Sequence, residues 1–299
     1  MAKITFGEIA DKGLKWGYYG EGGSGKTTFA IKNALRKEGK IAFFDIEGTL
    51  SPLKKRLTAQ GFDVSRIVSV NKTDDKGNAI PLLAEDVFAA LRDKSFSSAG
   101  FSAIIIDSMT ALEKLYTDYV RYHFSIGKNG EMVYSEEPSA KPVETIEAFA
   151  FGKGNTGIYE TNEKLLQLLD WYATKGVEIH TIAHDCDVTM EDARGVTKST
   201  QPRLLMPNSG KNSVRHRWRE WLDSLGYVFR QTTKDDEGHV VSVGRRFIAF
   251  TNVGTGIPEM DGTFWAKSRV MPGIFPISDL DAPKQDASNK GNESKKEDK

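Results

Sequence analysis

Gly20-Glu21-Gly22-Gly23-Ser24-Gly25-Lys26-Thr27 is the stretch whose reading decides the fold of this chain. It is a complete G-x-x-x-x-G-K-[ST] sequence, the spacing of a phosphate-binding loop. Glycines let the backbone turn tightly, with positive φ where a side chain would clash, so that successive N–H groups point inward at a polyphosphate. Lys26 is placed for the β- and γ-phosphates of a nucleoside triphosphate such as ATP, and the Thr27 hydroxyl for Mg²⁺. Thr28 carries the cradle into a helix whose N-terminal dipole favours the same anion. The flanks fit: residues 14–19 read as a strand leading in, and residues 28–36 as a helix leading out that stops near Gly39.

The bulk properties narrow the setting. The 299 residues carry 41 basic and 41 acidic side chains, so any basic surface must be local. One cysteine, Cys186, excludes an internal disulfide framework and fits a reducing cytoplasm. The first eight residues hold no apolar signal core, and no segment approaches membrane-spanning length. The expectation is a cytoplasmic protein without a membrane partner.

Short apolar runs alternate with amphipathic stretches, the pattern of a mainly parallel sheet flanked by helices, an α/β fold. Strands are expected at residues 40–45, 66–70, 103–107 and 177–183, and helices at 82–92, 109–123 and 158–174. Residues 125–157 lapse into Gly, Lys, Glu and Pro and read as a long insertion. Two β-rich runs, 225–232 and 240–251, flank Asp235-Asp236-Glu237-Gly238 as a C-terminal β-hairpin extension. Residues 281–299 are polar and charged and read as a disordered tail.

Hydrolysis needs more than a phosphate loop. Asp107 ends the most strand-like run, where a carboxylate can hold the water shell of Mg²⁺, although a strand-terminal Asp also serves as a helix cap. The next residue is Ser108 and not a glutamate, so a water-activating base must come from elsewhere. Glu47 is the candidate, because parallel strands bring their C-terminal ends to one edge and so to one crevice. Spacing alone leaves a solvated loop glutamate equally open.

Phe43-Phe44-Asp45-Ile46-Glu47-Gly48-Thr49-Leu50 resembles the segment carrying the catalytic glutamate of the RecA recombinase family, and Ile104-Ile105-Ile106-Asp107-Ser108-Met109-Thr110-Ala111-Leu112 resembles its second nucleotide-binding motif. The resemblance implies a RecA-like P-loop NTPase in which Glu47 activates water and Asp107 accompanies Mg²⁺. It also puts His184 at the polar sensor position, where RecA itself has glutamine. Trp265-Ala266-Lys267-Ser268-Arg269 resembles the Lys-x-Arg signature whose cations reach a neighbouring subunit's γ-phosphate, which makes Lys267 and Arg269 candidate catalytic residues and implies a ring or filament. Two exposed cations near a turn remain the alternative. In outline the chain is most similar to phage-encoded RecA-like ATPases of recombination and single-strand annealing.

Between Ala193 and Arg219 stand Arg194, Lys198, Arg203, Lys211, Arg215, Arg217 and Arg219, with no Asp or Glu. Gly195, Pro202, Pro207 and Gly210 read as a loop, at the place where RecA-like proteins carry a mobile DNA-binding loop. Cations there suit phosphate-backbone contact with single-stranded DNA, and Trp218 offers a stacking face. A solvated basic loop paired with Asp185, Asp187, Glu191 and Asp192 is the bland alternative.

The organisation expected is one RecA-like ATPase domain over 1–280, with a nucleotide core at 14–184, a DNA-loop and β-rich part at 185–280, and the tail 281–299. The tail is a candidate segment for a single-strand DNA-binding protein. Two other functions stay open: a P-loop kinase of a nucleotide or small molecule, and a nucleotide switch without turnover.

Overall fold

Buried strands alternate their side chains between two cores. In the run Ile41-Ala42-Phe43-Phe44, Ile41 and Phe43 enter one apolar cluster while Ala42 and Phe44 enter the other, and all four are fully buried. Ala103-Ile104-Ile105-Ile106 behaves the same way, which is why these strands read as unbroken apolar runs. The computed structural model describes residues 11–149, 152–191, 198–207, 213–234, 240–251 and 265–277.

Strand β1 (Lys15–Gly20) leads through the phosphate loop into α1 (Lys26–Leu35). Then come β2 (Lys40–Asp45), α2 (Leu50–Ala59), β3 (Ile67–Val70) and a small ribbon of β4 (Lys72–Thr73) and β5 (Ala79–Ile80). Helices α3 (Ala84–Arg92) and α4 (Lys94–Ser98) precede β6 (Phe101–Asp107) and α5 (Met109–His123). A second ribbon, β7 (Phe124–Ile126) with β8 (Met132–Tyr134), leads to α6 (Lys153–Thr174). The chain continues through β9 (Glu178–Glu191), β10 (Lys198–Leu204), α7 (Val214–Trp221), β11 (Ser224–Lys234) and β12 (Val240–Ala249). It closes with the short β13 (Lys267–Ser268) and β14 (Ile274–Pro276).

The main sheet runs β14-β12-β11-β1-β9-β6-β2-β3. It is parallel from β11 to β3, with β12 and β14 added antiparallel. In this order β9 lies between the strand carrying the phosphate loop and the strand ending in Asp107. Helices α3, α5, α6 and α7 bury their apolar faces in one core, and α1 and α2 in the other. The register aligns Gly20 with His184 and Asp45 with Asp107, so four strand ends meet on one edge.

Four features differ from the sequence-based expectation. Helix α2 begins three residues after Glu47, where no helix was read, because its exposed face is charged and only Leu50 and Leu57 are buried. The insertion is in part built into the fold: Phe149 is buried, Val143 and Ile146 pack on the same core, and α6 begins at Lys153, not near 158. The hairpin of β11 and β12 joins the main sheet, since β11 pairs in parallel with β1. Strand β9 does not end at His184 but runs 14 residues, and its outer half pairs antiparallel with β10. Pro202 sits within that pairing opposite Asp187, so the expected loop is a β-ribbon at its base. The tail 281–299 lies outside the described residues.

Candidate active site

The phosphate loop is shaped by what surrounds it. Gly20 has φ 151°, and a Cβ there would stand 2.1 Å from the carbonyl oxygen of Val228, so no other residue fits. Gly25, at φ 106°, opens α1 with no side-chain cap, which leaves the first helical N–H groups for an anion. The Ser24 hydroxyl is buried and has no hydrogen-bond partner among the described residues. Lys26 is 5% exposed, and its ammonium donates to the carbonyls of Gly20 and Glu21, both at 2.8 Å. Burial holds its pKa below the usual lysine range, while Asp185, Asp107, Glu47 and Glu21 pull the other way.

Asp107 and Glu47 are held in different ways. Asp107 is 1% exposed, and its Oδ2 accepts the hydroxyls of Thr27 and Thr49, both at 2.9 Å. Burial pushes its carboxyl up to about 6 in spite of those two donors. Thr49 is fixed in turn by Asp45, whose carboxylate accepts the Thr49 and Leu50 N–H groups at the start of α2. Glu47 Oε1 accepts from the Ser108 hydroxyl and lies 3.0 Å from His184 Nε2. The His184 contact, ahead of the Ser108 bond, holds the Glu47 carboxyl below the usual carboxylate range. Ser108, joined to Asp107 by a cis peptide bond, also caps α5 through Ala111 N–H.

These side chains line a cavity of about 470 Å³ that holds Lys26, Thr27, Glu47, Thr49, Asp107 and His184 together. Of these, Lys26, Thr27, Glu47, Asp107 and His184 are residues the sequence singled out, and the fold brings them to one pocket. Mg²⁺ fits the donor set: a hydroxyl and a buried carboxylate lie side by side, and the ion takes few protein ligands beside substrate phosphates. Among the described residues no cluster of three or more His, Cys, Asp or Glu forms a cage for a metal.

Other expected residues are placed elsewhere. Lys267 lies on β13 opposite Leu225, two strands from the loop's strand ends, and its ammonium donates to the Glu220 carbonyl at 3.3 Å. Arg269 follows it, exposed. Neither belongs to the pocket of its own chain.

The basic stretch needs correction. Arg203 is 5% exposed, its guanidinium 4.9 Å from the Trp265 ring centre, and Arg219 covers the same ring at 4.5 Å. Arg215 is buried and donates to the Met206 carbonyl at 3.2 Å. Arg217 forms a two-point ion pair with Glu163, at 2.6 and 3.2 Å. Trp218 is buried and donates to Asn162 at 2.6 Å, so it offers no stacking face. These cations brace α7 and the ribbon base: Arg217 and Trp218 tie α7 to α6, and Arg215 ties it to Met206 just past β10. Arg194 and Lys211 lie outside the described residues; Lys198 starts β10, opposite Glu191.

The sequence reading missed Thr49 and three arginines, Arg56, Arg230 and Arg246. Arg56 and Arg246 line the pocket, and Arg230 donates to the Gly23 carbonyl at 3.1 Å. Thr49 was within reach, two residues past Glu47; the arginines were not, because they come from α2 and from the β11–β12 register.

Fold and site together define a P-loop protein built to hold a nucleoside triphosphate. The family model AAA_24, described as an AAA domain, matches residues 12–256, and the chain belongs to that family. It is also similar to the DNA repair and recombination protein RadB of Pyrococcus furiosus, 36% identical over 113 residues, covering 37% of this chain and 48% of RadB. The RadB of Pyrococcus abyssi is 33% identical over 117 residues, covering 37% and 47%. The chain thus spans about half the length of the curated relatives it matches. A solved structure of the RadB recombinase overlaps 80% of both chains, with a TM-score of 0.43 at 16% identity. Among the described residues no helix is long and apolar enough to cross a membrane.

Proposed function

We propose that the protein is a RecA-like ATPase that acts on single-stranded DNA in recombination or replication. One observation carries the reading: Glu47 is clamped between Ser108 and His184 in the pocket that also contains Lys26, Thr27 and Asp107. A glutamate on a free loop needs no such clamp.

The chemistry follows from the donors. The loop amides and Lys26 bind the triphosphate, and Lys26 offsets charge on the transferred phosphoryl oxygens. Thr27 and Asp107 would hold Mg²⁺, which supplies further charge neutralisation there. Glu47, kept ionised by its two partners, orients the attacking water and accepts its proton. His184 joins that carboxylate to the start of the outer β9–β10 ribbon, and its N–H donates to Thr110 Oγ1 at 3.0 Å. Loss of the γ-phosphate would reset the Glu47–His184 contact and shift the ribbon.

DNA enters from the relatives' names and from the ribbon's place. Arg194, Lys198 and Lys211 are the cations proposed to meet the DNA backbone, with the braced arginines as their support. Lys267 and Arg269, remote from their own pocket, are proposed to reach a neighbouring copy's nucleotide in a ring or filament. A phage-type protein in a bacterial cytoplasm, with a single-strand DNA-binding protein on its tail, completes the reading.

ATP hydrolysis measured at moderate salt, with and without single-stranded DNA, tests it. Stimulation by DNA is expected. A rate indifferent to DNA overturns the ribbon's role, and phosphoryl transfer to a nucleotide or metabolite would instead identify a kinase.

A further inference from the structure

Three guanidiniums converge on the phosphate loop from elements with no phosphate-binding motif. Arg230 on β11 and Arg246 on β12 are directly opposed in the antiparallel register. Arg230 holds the loop at the Gly23 carbonyl. A Cβ built on Gly25 would lie 3.5 Å from both Cδ and Nη1 of Arg246. From the other side Arg56 of α2 donates to the Thr28 hydroxyl.

Like charges directly opposite on a sheet repel. Among the described residues no ion pair includes Arg56, Arg230 or Arg246. Burial, then the neighbouring charges of Arg230 and Arg56, holds the Arg246 guanidinium below its ordinary pKa. Such a cluster is complementary to a polyanion, which planar guanidiniums bind in a fork geometry. Arg246 lines the main pocket, and with Arg56 and Thr28 it also lines an adjoining cavity of about 340 Å³. It therefore stands where a ligand passes from the loop towards that second cavity. No hydrogen bond joins it to Glu47, Ser108 or His184.

We infer that Arg246 is a nucleotide-binding residue supplied by the same chain, its guanidinium lying along the phosphates that ATP and ADP share. The inference rests on the nucleotide reading of the pocket. It separates two cationic roles: Arg246 secures the ground state in its own subunit, independently of any cation from a neighbour. Arg246 thereby affects affinity and leaves the water-activating group alone.

The test is titration of the full chain with ATP and ADP in Mg²⁺, alongside steady-state hydrolysis, for wild type, Arg246→Ala, Arg246→Gln, Arg246→Lys and Arg36→Ala. The alanine and glutamine variants should each weaken both nucleotides about 10- to 100-fold, the scale of one charge-assisted hydrogen bond. KM should rise in step while kcat stays within about threefold. Lysine should restore part of the affinity, and loss of Arg36, exposed at the far end of α1, should change little. Thermal melts identify any variant that fails to fold, and the glutamine variant then takes the place of alanine. Unchanged affinity for both nucleotides in a folded variant overturns the inference. So does unchanged affinity with a collapsed kcat, which would make Arg246 a turnover residue. If the wild-type protein binds neither nucleotide, the pocket reading itself fails.

Discussion

His184 Nε2 lies 3.0 Å from Glu47 Oε1, and the same histidine is the residue at which β9 leaves the parallel sheet for its ribbon with β10. The candidate water-activating carboxylate and the candidate DNA element are therefore one hydrogen bond apart. On the function proposed above, displacement of the ribbon base would change the electrostatics of Glu47, and the converse would hold by linkage.

Replacing His184 with alanine should uncouple the two. The chief group holding the Glu47 carboxyl below its ordinary range is then gone, so the acid limb of the ATPase pH profile should move to higher pH. A depressed carboxylate contributes stability above its unfolded value of about 4.3 and loses it as pH falls through the folded value, so the variant should also lose less stability on acidification. Nucleotide affinity should change less than about threefold, and the response to DNA should disappear. An unmoved acid limb with DNA stimulation intact would refute the coupling.

Asp107 gives the opposite sign. Its carboxyl is raised to about 6 by burial, so the folded state holds its proton more tightly than the unfolded chain. Stability from this group is present below the unfolded value of about 3.9 and is lost as pH rises to 6. Without ligand, Asp107→Asn should therefore gain on wild type between pH 4 and 7, by roughly 2–3 kcal/mol in urea unfolding. The same variant should lose Mg²⁺-dependent nucleotide affinity. A pH-independent difference between the two proteins would refute the burial argument.

Arg203 and Arg217 should behave as braces. Arg203→Ala removes a buried cation stacked on Trp265 and should cost roughly 1–3 kcal/mol. Arg217→Ala breaks a half-exposed pair and should cost only about 0.2–1 kcal/mol. Neither should alter the salt dependence of DNA binding, whereas a true phosphate contact lowers that slope by about 1. A reduced slope for either variant would restore it to the DNA surface.

The parts of the site legible in the sequence are those written in consecutive residues. Gly20 to Thr28 is a local motif, and Glu47 and Asp107 end apolar strands whose parallel order brings them together. His184 came from the resemblance alone, and its strand lies between the one that carries the phosphate loop and the one that ends in Asp107. What escaped depends on register and on two-sided packing. Arg230 and Arg246 face the loop only because β11 pairs with both β1 and β12. Arg203 and Arg215 look free in a loop-like sequence rich in Gly and Pro, yet Trp265 and Met206 draw them inside. Trp265 itself is fixed by its N–H donating to the hydroxyl of Tyr19, which precedes Gly20, and no spacing in the sequence announces that contact.

The central claim is that Glu47 turns a nucleotide-binding pocket into a hydrolytic one. Comparing wild type with Glu47→Gln for ATP affinity and turnover tests this most directly. Glutamine keeps the size and can still accept from Ser108, so ATP binding should hold within a few-fold. Turnover should fall about 10²- to 10⁴-fold, the contribution of a positioned general base. A variant that hydrolyses ATP at the wild-type rate would contradict the account and leave Glu47 a structural partner of His184.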